Sequence, residues 1–291
     1  MNALTEPITV TRTKKVNGQA VIQWAAIGYL VALTLLALAF PLLGWDSYTQ
    51  DIAHRLLPPG SPGHLLGTDE FGRDVLARLV DGARVELLIA CSAALIGLVV
   101  GSAIGMIGAY VGSWGEFVTM RLITDSLVSF PAIVLALLVV TIYGSSTPTI
   151  IAVVSIVFIP TFARLAYGQA LSVRRREYVE AAQLSGARTP TMLARVIFPN
   201  IVAPLIAQAT VVMALAILLE SGLTYLGLGV AAPAPSWGGM IASGQRFMLQ
   251  NPWGVLIPSI VIVLTIMAFA TLGDALRDRL DPRRKRRRDD D

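Results

Sequence analysis

Charge is scarce in this sequence. Asp, Glu, Lys and Arg make up 14% of its 291 residues, where soluble domains carry about 25%. Hydrophobic residues reach 55% and the mean hydropathy is +0.67. So little polar surface cannot cover a chain of this size in water, which excludes an ordinary soluble domain and makes lipid the natural solvent. There is one cysteine, Cys91, inside an apolar run, so no disulfide within the chain can form. The two histidines, His54 and His64, lack the spacing of a helical metal-ligand pair. Lysine is confined to Lys14, Lys15 and Lys285, and none follows a GxxxxGK(S/T) phosphate loop, so an ATPase of that kind is not carried here. A GxSxG elbow and an HExxH pair are also missing, which argues against an intramembrane enzyme. No half of the chain repeats the other, unlike many secondary transporters.

What is abundant is long apolar sequence. Six runs, approximately Val21–Leu43, Val85–Val111, Phe117–Tyr143, Thr149–Leu171, Ile201–Val230 and Trp253–Leu272, reach the roughly 20 residues a spanning helix needs. They are too long and too evenly apolar for barrel strands, so the predicted fold class is all-α, a polytopic membrane protein with six transmembrane helices. Positive charge orients them. Arg12, Lys14 and Lys15 precede the first run, and Arg174, Arg175, Arg176, Arg188 and Arg195 lie between the fourth and fifth. Arg277, Arg279, Arg283, Arg284, Lys285, Arg286, Arg287 and Arg288 follow the sixth. An even number of spans puts all three groups on one side, the cytoplasm, with Gly144–Pro148 and Ala231–Pro252 outside. Ala37-Leu38-Ala39 mimics a signal cleavage site. The Val21–Leu43 run exceeds a signal core of about 7–15 residues, so it is expected to stay as a span.

Gly97, Gly101 and Gly105 stand four apart in the second run and share a helix face, which predicts close approach by another helix. Arg121 and Asp125, also four apart, are expected to pair on one helix face. Arg164 near the cytoplasmic end of the fourth run is expected to snorkel to the headgroups, with an interhelical pair as the alternative. Val75, Leu76, Leu79 and Val80 form a stripe that predicts a short surface helix along the membrane, flanked by Asp69, Arg73, Asp74 and Arg78. The Arg283–Arg288 run, following a span, reads as charge for a lipid surface rather than for nucleic acid.

Residues 172–200 are too polar to span. Tyr178, Val179, Ala182 and Leu184 predict a short helix starting near Arg174 and interrupted at Gly186. Pro190 suits the first turn of a second short helix carrying Met192, Leu193, Val196 and Ile197, which Pro199 is expected to end. Such a helix–glycine–helix on the cytoplasmic face is either a knob for another protein or an interfacial helix held by anionic lipid.

Glu180-Ala181-Ala182, Gly186, Val196, Phe198 and Pro199 resemble the EAA loop of permease subunits of ATP-binding cassette importers, with Val and Phe where the motif has Ile and Leu. His64–Arg84, Leu226–Gly238 and Gly273–Pro282 resemble blocks of the C-type permease subunits for dipeptides, oligopeptides and nickel, in the same order. Ala77 and Glu86 replace usual serines there, and Ala270 a usual asparagine. The resemblance implies a non-catalytic subunit, binding no cofactor itself, whose ATP is used by partner subunits. Tyr178, Glu180, Ala181, Ala182, Gly186, Val196, Phe198 and Pro199 would form the coupling element that enters a groove of the ATPase. The implied partners are a homologous B-type permease subunit, one or two cytoplasmic ATPase subunits, an external substrate-binding protein and membrane lipid, with no nucleic acid. The implied location is the bacterial plasma membrane, with both termini cytoplasmic.

On this reading the chain divides into a cytoplasmic segment 1–20, a first span 21–43, an external loop 44–84 with an amphipathic segment, a five-helix core 85–276 with the coupling loop at 172–200, and a basic tail 277–291. Glu220, inside the fifth run, must face the bundle interior or water. It is a candidate pathway or gate group for a peptide amine, or else an interhelical hydrogen-bond partner. Asp69, Arg73 and Asp74 are candidate contacts for the external binding protein, or a solvated cap bracing the second span. The cargo is read as peptide. Nickel or another small solute is the alternative within the family, and a secondary transporter or channel the alternative outside it.

Overall fold

The structure is a computed structural model and describes residues 16–280. Arg12, Lys14, Lys15 and the Arg283–Arg288 run lie outside the described residues. Nine helices organise the described chain: α1 Val16–Ala39, α2 Val75–Val111, α3 Ser113–Ser129, α4 Ala132–Tyr143, α5 Thr147–Arg174, α6 Glu177–Leu184, α7 Thr189–Tyr225, α8 Trp237–Gln245 and α9 Trp253–Leu280. No named strand occurs among the described residues. Helices α1, α2, α5, α7 and α9 are each long and apolar enough to cross a membrane, and the bent α3–α4 pair adds a sixth if its two helices count as one span.

The second span begins ten residues before its apolar run. Asp74 caps α2, its carboxylate accepting the Ala77 N–H at 2.8 Å. Val75, Leu79 and Val80 are buried, so the stripe expected on a separate surface helix is the first turns of α2 itself. Hydropathy stops short there because Arg78 and Asp81 interrupt the run. Both find a polar partner in the distant Ser47, Arg78 donating to its carbonyl at 3.0 Å and its hydroxyl donating to Asp81 at 2.6 Å.

Helix α2 then presses against α5 along the glycine face. A Cβ on Gly101 would sit 2.6 Å from the Ile159 carbonyl oxygen, and one on Gly105 would sit 2.2 Å from that of Ala163. Only glycine lets the two backbones come this near. The third apolar run does not form one straight helix, because α3 and α4 meet at 83°. Pro131 lacks an N–H and forces its predecessor out of the helical region, and Phe130 is extended at φ −88°, ψ 127°.

Pro199 does not end a helix either, since α7 runs through it to Tyr225. The turns just before it, Met192–Ile197, are π-helical, and this widened stretch accommodates a proline that has no N–H to give. The same device changes side-chain register in α3, where Phe117–Asp125 is π-helical. Asp125 therefore pairs with Arg164 of α5 at 2.9 Å rather than with Arg121, four residues back on its own helix. Helices α5 and α7 are the most buried of the spans, and α1 and α9 the least. The α1 face is tied to α9 by the Tyr29 hydroxyl, 2.9 Å from the Thr265 hydroxyl.

Candidate functional site: the projecting knob and the buried polar groups

The segment between α5 and α7 folds back as a small projecting element. Helix α5 runs on to Arg174, so α6 starts three residues later than its apolar pattern suggested. Arg174 anchors the bend, donating to the Ala109 carbonyl at 2.8 Å and standing 5.7 Å over the Tyr110 ring. Gln183 on α6 donates to the same Tyr110 hydroxyl at 3.3 Å. Val179, Met192 and Ile197 are fully buried in the main core, each contributing about 1.5–3 kcal/mol of hydrophobic burial. The expected apolar stripe divides: Val179 and Ala182 face inward, while Tyr178 is exposed at 41% and Leu184 at 90%.

Helix α6 closes with a reciprocal C-terminal cap. The Ala187 N–H donates to the Ala182 carbonyl at 3.2 Å and the Gly186 N–H to that of Gln183 at 3.0 Å. This cap needs a left-handed residue, and Gly186 supplies it at φ +81°. Glu180, Ala181 and Gly186 are exposed on the knob beside Tyr178, and Ala182 is half-buried. Val196 and Phe198 are half-buried where α7 leaves the knob, and Pro199 is exposed there. The knob is therefore braced from within and presents small, acidic and apolar side chains outward.

At the opposite end, residues 44–74 fold over the start of α2. Asp69 accepts the Phe71 and Arg73 N–H groups, each at 2.9 Å, and the Arg73 Nε at 2.6 Å. The Arg73 side chain is 8% exposed and that of Asp69 12%, so these two charges are turned on each other rather than solvated. Asp74 also meets His64 Nδ1 at 2.8 Å. Gly72 at φ +75° makes the turn possible, since a Cβ there would lie 1.7 Å from the Asp51 carbonyl oxygen.

Glu220 is fully buried between α7, α2 and α8. It accepts the Thr224 hydroxyl at 2.7 Å, and its neighbour across the helix interface is the Glu86 carboxyl of α2. Glu86, also fully buried, accepts the Trp237 N–H at 3.3 Å and the Ser221 hydroxyl at 3.4 Å. The second oxygen of each carboxyl has no hydrogen-bond partner. Sequence reasoning singled out Glu220 and did not name its partner. The signal was there, a second carboxylate within an apolar run at a position where the resembling subunits carry serine. Trp237 joins the same region, its indole N–H donating to the Leu79 carbonyl at 3.0 Å. Among the described residues no group of three or more His, Cys, Asp or Glu side chains is placed to hold a metal ion.

Comparison with known proteins supplies the family. Residues 97–286 match the family described as binding-protein-dependent transport system inner membrane component. A dipeptide transport system permease protein DppC of Alkalihalophilus pseudofirmus is 37% identical over 263 residues, covering 90% of this chain and 86% of that protein. A glutathione transport system permease protein GsiD of Pectobacterium atrosepticum is 36% identical over 88% of this chain and 86% of its own length. A probable peptide ABC transporter permease of Sinorhizobium fredii is 41% identical over 90% and 89%. Among solved structures, a chain of an inward-facing MetNI methionine ABC transporter has the same fold, with a TM-score of 0.57 at 17% identity, covering 70% of this chain and 96% of that one. The family match spans most of the helical core and includes the knob, and so this chain belongs to the inner-membrane components of binding-protein-dependent transport systems.

Proposed function

We propose that this chain is one of two membrane subunits forming the passage of an ATP-driven peptide importer, and that it is non-catalytic. The observation that carries the proposal is the knob. A rigid helix capped at Gly186 offers Tyr178, Glu180, Ala181 and Leu184 to a partner outside the membrane, and the chain has no phosphate loop with which to use ATP itself. The small alanines permit close approach, and Glu180 can accept a charge-assisted hydrogen bond from a basic group of an ATPase subunit. Ala182, Val196, Phe198 and Pro199 complete the coupling element by fixing how α6 sits against α7.

The names of the relatives favour peptide as cargo. The further partners on this reading are a homologous second permease subunit, one or two ATPase subunits and an external binding protein. The location is the bacterial plasma membrane, both termini in the cytoplasm, as the arginine distribution supports. Glu220 serves as an interhelical scaffold rather than a gate, a reading its complete burial supports. Asp69, Arg73 and Asp74 brace the outer end of α2, with the exposed parts of the same loop left for the binding protein. The test is reconstitution with the neighbouring subunits. ATP-dependent uptake of a labelled dipeptide that requires this chain is expected, and ATP-independent flux through this chain alone would overturn the proposal.

A further inference from the structure

An exposed ion pair joins two of the helices that make up the candidate membrane spans. Arg164 of α5 and Asp125 of α3 meet at 2.9 Å, with side chains 54% and 57% exposed. Hydrocarbon cannot solvate such a pair, so the face that carries it meets water, headgroups or protein. The α5 part of that face agrees, although Leu122 and Val128 of α3 and the adjoining Phe130 are exposed and apolar. Thr161, Arg164, Gly168 and Ser172 are all exposed and follow one another at helical spacing along α5. The outward faces of α1 and α9 differ sharply, with Val21, Leu35 and Leu38 on one and Ile260, Val263 and Met267 on the other. These are lipid-facing compositions, and the α5 face is not.

Two turns before Arg164, about 10 Å along the helix, the same face enters an open groove. Val157 and Phe158 of α5 form one wall, Ile133 of α4 another, and Leu215 and Leu218 of α7 a third, around a cavity of about 380 Å³. Ligand sites commonly span about 300–1,000 Å³. The groove exists because α4 turns away from α3 at Pro131. Its walls are apolar, and the Asp125–Arg164 pair follows it on the α5 face.

We propose that this α5 face lines a water-filled stretch of the passage and that Asp125 and Arg164 are its contacts for a zwitterionic peptide. This rests on the importer reading above. When the pair parts, Asp125 offers a carboxylate to the peptide ammonium, and Arg164 offers a planar two-pronged donor to the peptide carboxylate. The closed pair keeps each charge compensated while the passage is empty. The apolar groove beside it accepts side chains of varied shape without specifying them.

The test uses the assembled importer in inverted membrane vesicles without ATP, in a Cys91→Ser background. Thr161→Cys is treated with an anionic, membrane-impermeant thiol reagent. Met267→Cys, 61% exposed on α9, is the lipid-facing control. Labelling of Thr161→Cys but not of Met267→Cys is expected, with protection by millimolar dipeptide. Adding Asp125→Asn or Arg164→Gln should raise the dipeptide concentration for half-protection at least tenfold. Thr161→Cys as unreactive as Met267→Cys would overturn the proposal, placing lipid or the second membrane subunit on this face. Labelling without protection would overturn the cargo contact. Normal dipeptide uptake alongside either result would leave the importer reading standing. Thr161→Cys labelling in a complex that takes up no peptide would instead count against peptide as the cargo.

Discussion

Glu86 and Glu220 stand side by side in the interior, one on each of two packed helices, and both are completely buried. Thr224 and Ser221 supply hydroxyl donors and Trp237 a backbone N–H, while one oxygen of each carboxyl is left without a partner. Glu220→Gln keeps the shape and the accepting oxygen and gives the site two new donors. It should therefore leave assembly and thermal stability close to wild type. Glu220→Ala removes the acceptor and opens a cavity, and should cost about 2–5 kcal/mol. Thermal unfolding of the purified complex in detergent distinguishes the two. A Glu220→Gln complex that assembles normally and does not transport would instead put Glu220 in the passage.

Gly105→Val should disrupt the seam between α2 and α5. Its Cβ would lie 2.2 Å from a backbone oxygen that cannot swing aside. A loss of at least 1–3 kcal/mol is expected, as for other overpacked interiors, visible as a lower melting temperature or a failure to accumulate in the membrane. Gly28→Ala in α1 meets nothing within 4 Å and is the control that should accumulate normally.

Topology is open to cysteine accessibility in the Cys91→Ser background. Ser146→Cys should react with an impermeant reagent from outside, and Ala187→Cys only after access to the cytoplasm. Ser146 stands at the short turn before α5 and Ala187 just past Gly186 of the knob. Labelling of Ser146→Cys from the cytoplasmic side alone would invert the arrangement.

The sequence made the spans, the glycine seam and the knob legible, because each rests on a local pattern of hydropathy or small residues. It was less informative where the backbone departs from the regular α-helix. Hydropathy reads Phe117–Tyr143 as one run, yet Pro131 divides it at 83°. Spacing of four pairs Arg121 with Asp125 only on an α-helix, and the π-helical turns at Phe117–Asp125 give Asp125 to Arg164 instead. Pro199 reads as a stop, and the π-helical Met192–Ile197 carries the helix past it. The start of α2 was hidden by Arg78 and Asp81, whose burial depends on Ser47, thirty-odd residues away. The partnership of Glu86 with Glu220 is a long-range contact that no local pattern encodes.

Gly186→Val tests the knob's geometry. At φ +81° a β-branched residue is strained, and the two capping hydrogen bonds to Ala182 and Gln183 depend on that conformation. The variant should insert in the membrane normally, since no span is touched. ATP-dependent uptake should fall at least tenfold. Gly186→Asn, which tolerates the left-handed region, should retain most of it.

The central claim is that transport energy enters this chain through a separate ATPase at the knob. Glu180 is exposed on α6 and can be reversed in charge without disturbing the buried Val179 beside it. The direct measurement is ATP-dependent peptide uptake together with ATPase copurification for Glu180→Lys. Loss of uptake, with the ATPase either released or retained but uncoupled, is the predicted result, at a cost of about 2–5 kcal/mol if the pair is buried at the interface. Normal uptake with normal ATPase retention would contradict the claim and leave residues 172–200 as a lipid-surface element.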